Sequence, residues 1–160
     1  MLSNRKVKEY LDEAQKYADE KTGCCKVAVG CVLVTMQAKT EFKVFGANKA
    51  LPDLCKTTGC HRVELYGEDS KNHRLPSDCR AIHSEIDAIS QAARFGVSTK
   101  NATLIITRYP CEACARAIVS AGIKHVYYGR KQEISEETAK ILEGISVTWV
   151  KDWNYEDTER

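Results

Sequence analysis

The sequence predicts a three-layer α/β/α sandwich built on a mixed central sheet of about five strands. Two observations carry this expectation. An early helical segment is followed by two adjacent strand segments, and the second half of the chain then alternates helix and strand. The first strand is also a continuous apolar, β-branched run, the pattern of a strand covered on both faces.

Val7, Tyr10, Leu11, Ala14, Tyr17 and Ala18 recur at helical spacing, and Gly23 provides a stop, so a first helix is expected from about Ser3 to Lys21. The run from Val27 to Thr35 is the buried strand, and Glu41 to Asn48 can pair with it. A long stretch from Lys49 to Arg80 follows, polar and rich in charge, with a periodic island only near His61 to Tyr66. Loops of this length in compact domains are usually functional or tied down. Ile82, Ile86, Ile89 and Ala93 then share one helical face, ended by Gly96. Ala102 to Thr107 reads as a strand. Cys111 to Ala121 reads as a helix between Pro110 and Gly122, as the usual proline start and glycine stop require. His125 to Tyr128 is a strand, Ser135 to Leu142 a helix that Ser135 can cap, and Ile145 to Val150 a last strand. The polar tail from Lys151 to Arg160 is expected to fray, with Trp153 as a docking point. The 160 residues suit one domain, 1–160, including the loop 49–80 and the tail 151–160.

Lys plus Arg number 24 and Asp plus Glu 22, a net charge of +2, which argues against a dedicated nucleic-acid binder. With 43% hydrophobic and 29% charged residues the composition is that of a globular protein, not a disordered one. No apolar run approaches the ~20 residues of a membrane span. The polar segment from Met1 to Tyr10 does not read as a secretory signal, so a cytoplasmic location is expected. In that reducing setting the 8 cysteines point to metal binding or catalysis more than to disulfides.

Two segments bear chemistry. His83-Ser84-Glu85 opens one helix and Pro110-Cys111-Glu112-Ala113-Cys114 opens the next. Either alone is weak: a His near a Glu is more often a cap or surface pair, and a C-x-x-C can be redox, structural or chance. Together, His83, Cys111 and Cys114 make three zinc ligands and leave a fourth tetrahedral position open, as a catalytic site requires. Cys111 and Cys114 lie one helical turn apart and can face one ion. Helix N-termini favour thiolate and other anions there. Glu85 is too close to His83 to be a comfortable second ligand of the same ion, and it suits a general acid/base. H-x-E with P-C-x-x-C is the pattern of zinc nucleobase deaminases.

At these residues the chain resembles the cytidine and deoxycytidylate (dCMP) deaminase superfamily, and within it the bacterial dCMP deaminases. The resemblance runs from about Gly23 to Val150. Val29-Gly30-Cys31-Val32-Leu33-Val34 stands for the family's V-G-A-V-I-V, and Gly46-Ala47-Asn48-Lys49 for G-Y-N-G. The segment from Cys79 to Ile89 stands for C-R-x-x-H-A-E-x-N-A-I, and Ser120-Ala121-Gly122-Ile123-Lys124 for x-A-G-I-K. The departures are Ala47 for Tyr, Ser84 for Ala, Asp87 for Asn, and Arg108-Tyr109 before the Pro-Cys pair.

The resemblance implies zinc-dependent hydrolytic deamination, with water replacing the amine of a cytosine nucleotide, dCMP to dUMP plus ammonia. Glu85 would move protons from the water to the ring and to the departing amine. Asn48 would contact the sugar, where residues alone suggest only a turn-forming Asn. Arg108 is the first choice for the substrate phosphate among Arg80, Arg108, Lys26, Lys49 and Arg130. Some family members hold a second, structural zinc in the long loop, which here points to Cys24, Cys55, Cys60 and Cys79, with His61 and Cys25 as reserves. The bland alternative is that several are small buried apolar residues. Cys31 reads as core, His73 as loop surface and His125 as a strand start. The resemblance further implies a homo-oligomer, often a hexamer, with dCTP activation and dTTP inhibition. A deaminase of a free nucleoside, base or other amino-heterocycle is the nearest alternative. A non-catalytic zinc-stabilised module is a more distant one, and would not need Glu85. An RNA- or DNA-editing deaminase is disfavoured by the near-neutral charge.

Overall fold

In a computed structural model describing residues 2–50, 54–67, 79–131 and 135–155, the chain begins with α1 (Asn4–Lys21). Ser3 caps it, its Oγ accepting from the Lys6 N–H at 3.3 Å. Two strands follow, β1 (Gly30–Gln37) and β2 (Thr40–Ala47), joined as a tight antiparallel hairpin. The long stretch after them holds β3 (Lys49–Ala50), α2 (Leu54–Thr58), α3 (His61–Tyr66) and β4 (Ala81–Ile82). The periodic island near His61 is thus a helix, and β3 and β4 pair antiparallel. Arg80 stitches this region together, donating to Thr58 Oγ1 at 3.3 Å and lying 3.1 Å from His61 Nδ1. His73 lies outside the described residues.

The second half alternates as expected: α4 (Ser84–Phe95), β5 (Thr103–Arg108), α5 (Glu112–Ser120), β6 (His125–Arg130), α6 (Glu136–Ile141) and β7 (Ser146–Trp149). Gly96 ends α4 in the left-handed region at φ 68°, and Ser135 caps α6, accepting from the Thr138 N–H at 3.1 Å. The main sheet is five-stranded in the order β2-β1-β5-β6-β7. β1 is antiparallel to β2 and β5, whereas β5, β6 and β7 run parallel, so the sheet is mixed.

Alternate residues of the strands feed two cores. On one face Val32, Val34, Ile105 and Tyr127 pack against Val7, Tyr10, Leu11 and Ala14 of α1. On the other, Leu33, Leu104, Ile106 and Val126 pack against Ala88 and Ala92 of α4, Ala115 and Ile118 of α5, and Leu142 after α6. Residues 151–155, expected to fray, instead close over the α1 face. Trp153 is buried, its indole N–H donates to Asp12 Oδ1 at 2.8 Å, and its ring lies flat on Gly129, where a Cβ would sit 2.1 Å from Trp153 Cε3. Trp153 is thus the docking point expected for this segment, its apolar ring buried and its polar N–H paired.

Candidate metal centre and active site

One end of the sheet gathers the chemistry. The start of β1, the end of β2 and the carboxyl ends of β5 and β6 meet there, tied by the Gly30 N–H donating to Thr107 Oγ1 at 3.1 Å. Ligands in α/β sheets bind outside the carboxyl ends of parallel strands. Both α4 and α5 begin at this end, with His83 and Cys111 at their N-cap positions, and neither side chain caps its own helix. They turn towards each other instead. Cys111 Sγ and Cys114 Sγ each lie 3.4 Å from His83 Nδ1.

The ligand atoms of His83, Cys111 and Cys114 all lie within 4.8 Å of one another, and among the described residues no other His, Cys, Asp or Glu group is drawn together in this way. One imidazole and two thiols form a soft nitrogen and sulfur set that suits zinc, and three ligands leave one position for a water or substrate. The three groups also pull on one another's protons. The Cys111 thiol is lowered to about 4, chiefly by the hydrogen bond from Cys114 and despite its burial. The His83 imidazole is lifted to about 10 by hydrogen bonds with Cys111 and Cys79, and the Cys114 thiol is pushed up by its bond to Cys111. To hold a metal ion, His83 and Cys114 would have to give up these protons.

Glu85 lies beside the triad and outside it. Its side chain is buried, 3% exposed, and its carboxylate is within hydrogen-bonding reach of the Cys114 thiol. Burial pushes the Glu85 carboxyl above its ordinary value, against the pull of His83. A carboxyl so placed is suited to taking and giving back a proton.

The walls of the site follow from close backbone contact. Gly46 on β2 lies against the first turns of α4, where a Cβ would meet Ser84 O at 2.1 Å and Ala88 N at 2.6 Å. Asp87, one turn along α4, accepts from the Ala47 N–H at 3.0 Å and pairs with Lys49 Nζ at 2.7 Å. The acidic helix is therefore fastened on both sides of Asn48. Lys49 also pairs with Ile82, the residue before His83, through the β3–β4 ladder.

Asn48 is buried and structurally occupied. Its Oδ1 accepts from Thr22 Oγ1 at 2.8 Å and the Val29 N–H at 2.9 Å, and its Nδ2 donates to Val27 O at 2.8 Å. These bonds frame the loop between α1 and β1, and among the described residues they leave its second amide hydrogen without a bond. Arg108 is half-buried at the end of β5 and pairs in register with Arg130, whose guanidinium donates to Gln15 Oε1 at 3.3 Å and stacks 5.3 Å from the Trp153 ring centre. Tyr109 is buried edge-on against Tyr128, with ring centres 4.9 Å apart.

The loop cysteines gather but do not close a ligand set. The Cys55 thiol is pushed up by burial and then by Cys24, Cys25, Cys60 and Cys79 around it. Cys79 turns to the His83 ring, whose hydrogen bond lowers its thiol. The β3–β4 ladder brings Cys79 to that side of the site. Cys24, Cys55, Cys60 and Cys79 are therefore not held at mutual ligand distances. His61 lies 3.1 Å from Glu64 Oε2 as well as from Arg80. Cys31 is core, as expected, fully buried with its thiol donating to Ser84 O at 3.1 Å.

Comparison with known proteins agrees with this geometry. Residues 4–130 match the family model described as the cytidine and deoxycytidylate deaminase zinc-binding region, and the chain belongs to that family. The ComE operon protein 2 of Bacillus subtilis is 41% identical over 69 residues, covering 43% of this chain and 36% of that protein. The deoxycytidylate deaminase of Schizosaccharomyces pombe is 29% identical over 138 residues, 86% of this chain and 41% of that protein. The chain thus spans about two fifths of the yeast relative's length. The crystal structure of the dCMP deaminase from cyanophage S-TIM5, in complex with dCMP and dUMP, superposes with a TM-score of 0.64 at 20% identity, covering 93% of this chain and 99% of that one. That likeness shows the shared fold.

Proposed function

We propose that the chain is a single zinc-dependent deaminase domain acting on a cytosine nucleotide, with dCMP converted to dUMP and ammonia. The observation that carries this is the His83, Cys111 and Cys114 triad with the buried Glu85 carboxyl at its side, at the end of the sheet where ligands bind. Relatives named as deoxycytidylate deaminases, and the fold shared with a dCMP-bound deaminase, support the choice of substrate.

His83, Cys111 and Cys114 would hold the zinc, which supplies a Lewis acid that makes water acidic enough to react at neutral pH. Glu85 takes a proton from the attacking water and delivers it to the ring nitrogen beside C4. A C4–O bond forms, Glu85 takes the second proton from that oxygen and passes it to the amine, and the C4–N bond breaks to release ammonia and leave a C4 carbonyl. Asn48 is assigned to the sugar through its remaining amide hydrogen, and Arg108 to the phosphate as a charge-paired donor.

A second zinc held by Cys24, Cys55, Cys60 and Cys79 belongs to the same proposal, supported by the cysteines that surround Cys55. Closing that set requires Cys79 to turn from His83. A homo-oligomer is supported by Phe95 and Val119, exposed by 69% and 44% at the ends of α4 and α5. Regulation by dCTP and dTTP rests on the family resemblance alone. No described helix is long and apolar enough to cross a membrane, and a cytoplasmic location is part of this reading.

Ammonia release from dCMP and from deoxycytidine tests the substrate. The expected result is a kcat/KM about 10²-fold or more higher for dCMP, with Arg108→Ala raising KM chiefly for dCMP. Equal efficiency on both, unchanged in the Arg108 variant, would assign the site to a nucleoside or other amino-heterocycle.

A further inference from the structure

We propose that Ser84 positions the Glu85 carboxylate for proton transfer. This rests on the deaminase reading above and concerns a side chain that reading does not use. Ser84 is fully buried at the first position of α4, between His83 and Glu85. Its Oγ donates to Glu85 Oε2 at 3.0 Å in a buried bond. A buried hydroxyl needs a partner, and the carboxylate supplies it.

The backbone behind this bond is fixed. The Cys31 thiol donates to Ser84 O at 3.1 Å, and Gly46 lies close enough that its missing Cβ would sit 2.1 Å from the same oxygen. The first turn of α4 therefore has no room to rotate against β1 and β2. From this anchored residue the hydroxyl holds one carboxylate oxygen and leaves the other for proton exchange. Two hydrogen bonds from α4's neighbours to Asp87 further along the helix act in the same sense, since Ala47 N and Lys49 Nζ both hold its carboxylate. Proton transfer depends steeply on such geometry, and a bond from a neutral donor to a charged acceptor is among the stronger ones.

The family pattern carries Ala at this position, so Ser84→Ala fits the space and is expected to fold. Steady-state ammonia release should show kcat about tenfold lower, KM within about twofold of the parent, and zinc content unchanged. Urea unfolding of the parent, Ser84→Ala, Glu85→Ala and the double variant supplies a second readout independent of turnover. Ser84→Ala should lower the midpoint when Glu85 is present and fail to lower it when Glu85 is absent. An active parent with unchanged kcat in Ser84→Ala overturns the proposal, as does a rise in KM alone or the same midpoint shift in both backgrounds. A parent that releases no ammonia from any cytosine compound overturns the deaminase reading first, and the positioning role with it.

Discussion

Replacing Glu85 by glutamine is expected to lower deamination about 10²–10⁴-fold while leaving zinc content at the parent's level. Gln keeps the size of the side chain and removes its charge and its ability to carry the proton. Glu85 stands outside the three ligands that converge at His83, so the metal set is unchanged by the substitution. Replacing Cys114 by Ala should have the opposite signature, because Cys114 Sγ lies 3.4 Å from His83 Nδ1 within the triad and its loss removes metal and activity together. Zinc content measured alongside ammonia release separates the two roles, and equal zinc loss in both variants would show that Glu85 is misassigned. Stability moves the other way from activity. Burial raises the Glu85 carboxyl in the folded chain, so its contribution is fully present below the ordinary carboxylate value and is lost as pH rises through the raised one. Glu85→Gln removes that penalty, and the metal-free variant should melt higher than the metal-free parent at pH 7.

Gly46→Ala is expected to disrupt both the fold and the site. The added Cβ would meet Ser84 O at 2.1 Å and Ala88 N at 2.6 Å, both backbone atoms of the helix that carries Glu85. No side-chain rotation relieves such contacts, so α4 must move away from β2. Overpacking of this kind costs about 3 kcal/mol, which for a chain of this size lowers the melting temperature by about 6–12 °C. The same movement carries Glu85 away from Cys114, and displacement of about 1 Å at a reacting group can cost about 10²-fold in rate. Thermal unfolding and ammonia release of this one variant read both effects. A melting temperature and rate within error of the parent would mean that β2 and α4 are not in the contact described.

The sequence revealed elements wherever a period had room to repeat. Val7, Tyr10, Leu11 and Ala14 span enough turns to define α1 and its buried face, and Pro110 and Gly122 bracket α5 on either side. β3 and β4 were hidden because two residues each cannot display a period. The triad was legible because its three ligand types occur at two helix starts, where local spacing already brings Cys111 and Cys114 together. Asn48 shows the limit of motif reading. Its place at the end of β2 was plain, but the loop bonds to Thr22, Val27 and Val29 depend on tertiary approach. Gly46 was quoted within a motif without its reason, which lies in a helix about forty residues later. Ser84 stood out only as a departure from Ala; its hydroxyl acquires meaning from the carboxylate it faces.

The central claim is that the His83, Cys111 and Cys114 triad holds a zinc ion required for hydrolysis of a cytosine amine. Its most direct test is ammonia release from dCMP by chelator-stripped protein, measured as zinc is titrated back. The expected result is negligible release from the stripped protein and recovery that rises with zinc in the parent but not in Cys111→Ala. Full release by the stripped parent, or equal recovery in Cys111→Ala, would contradict the claim.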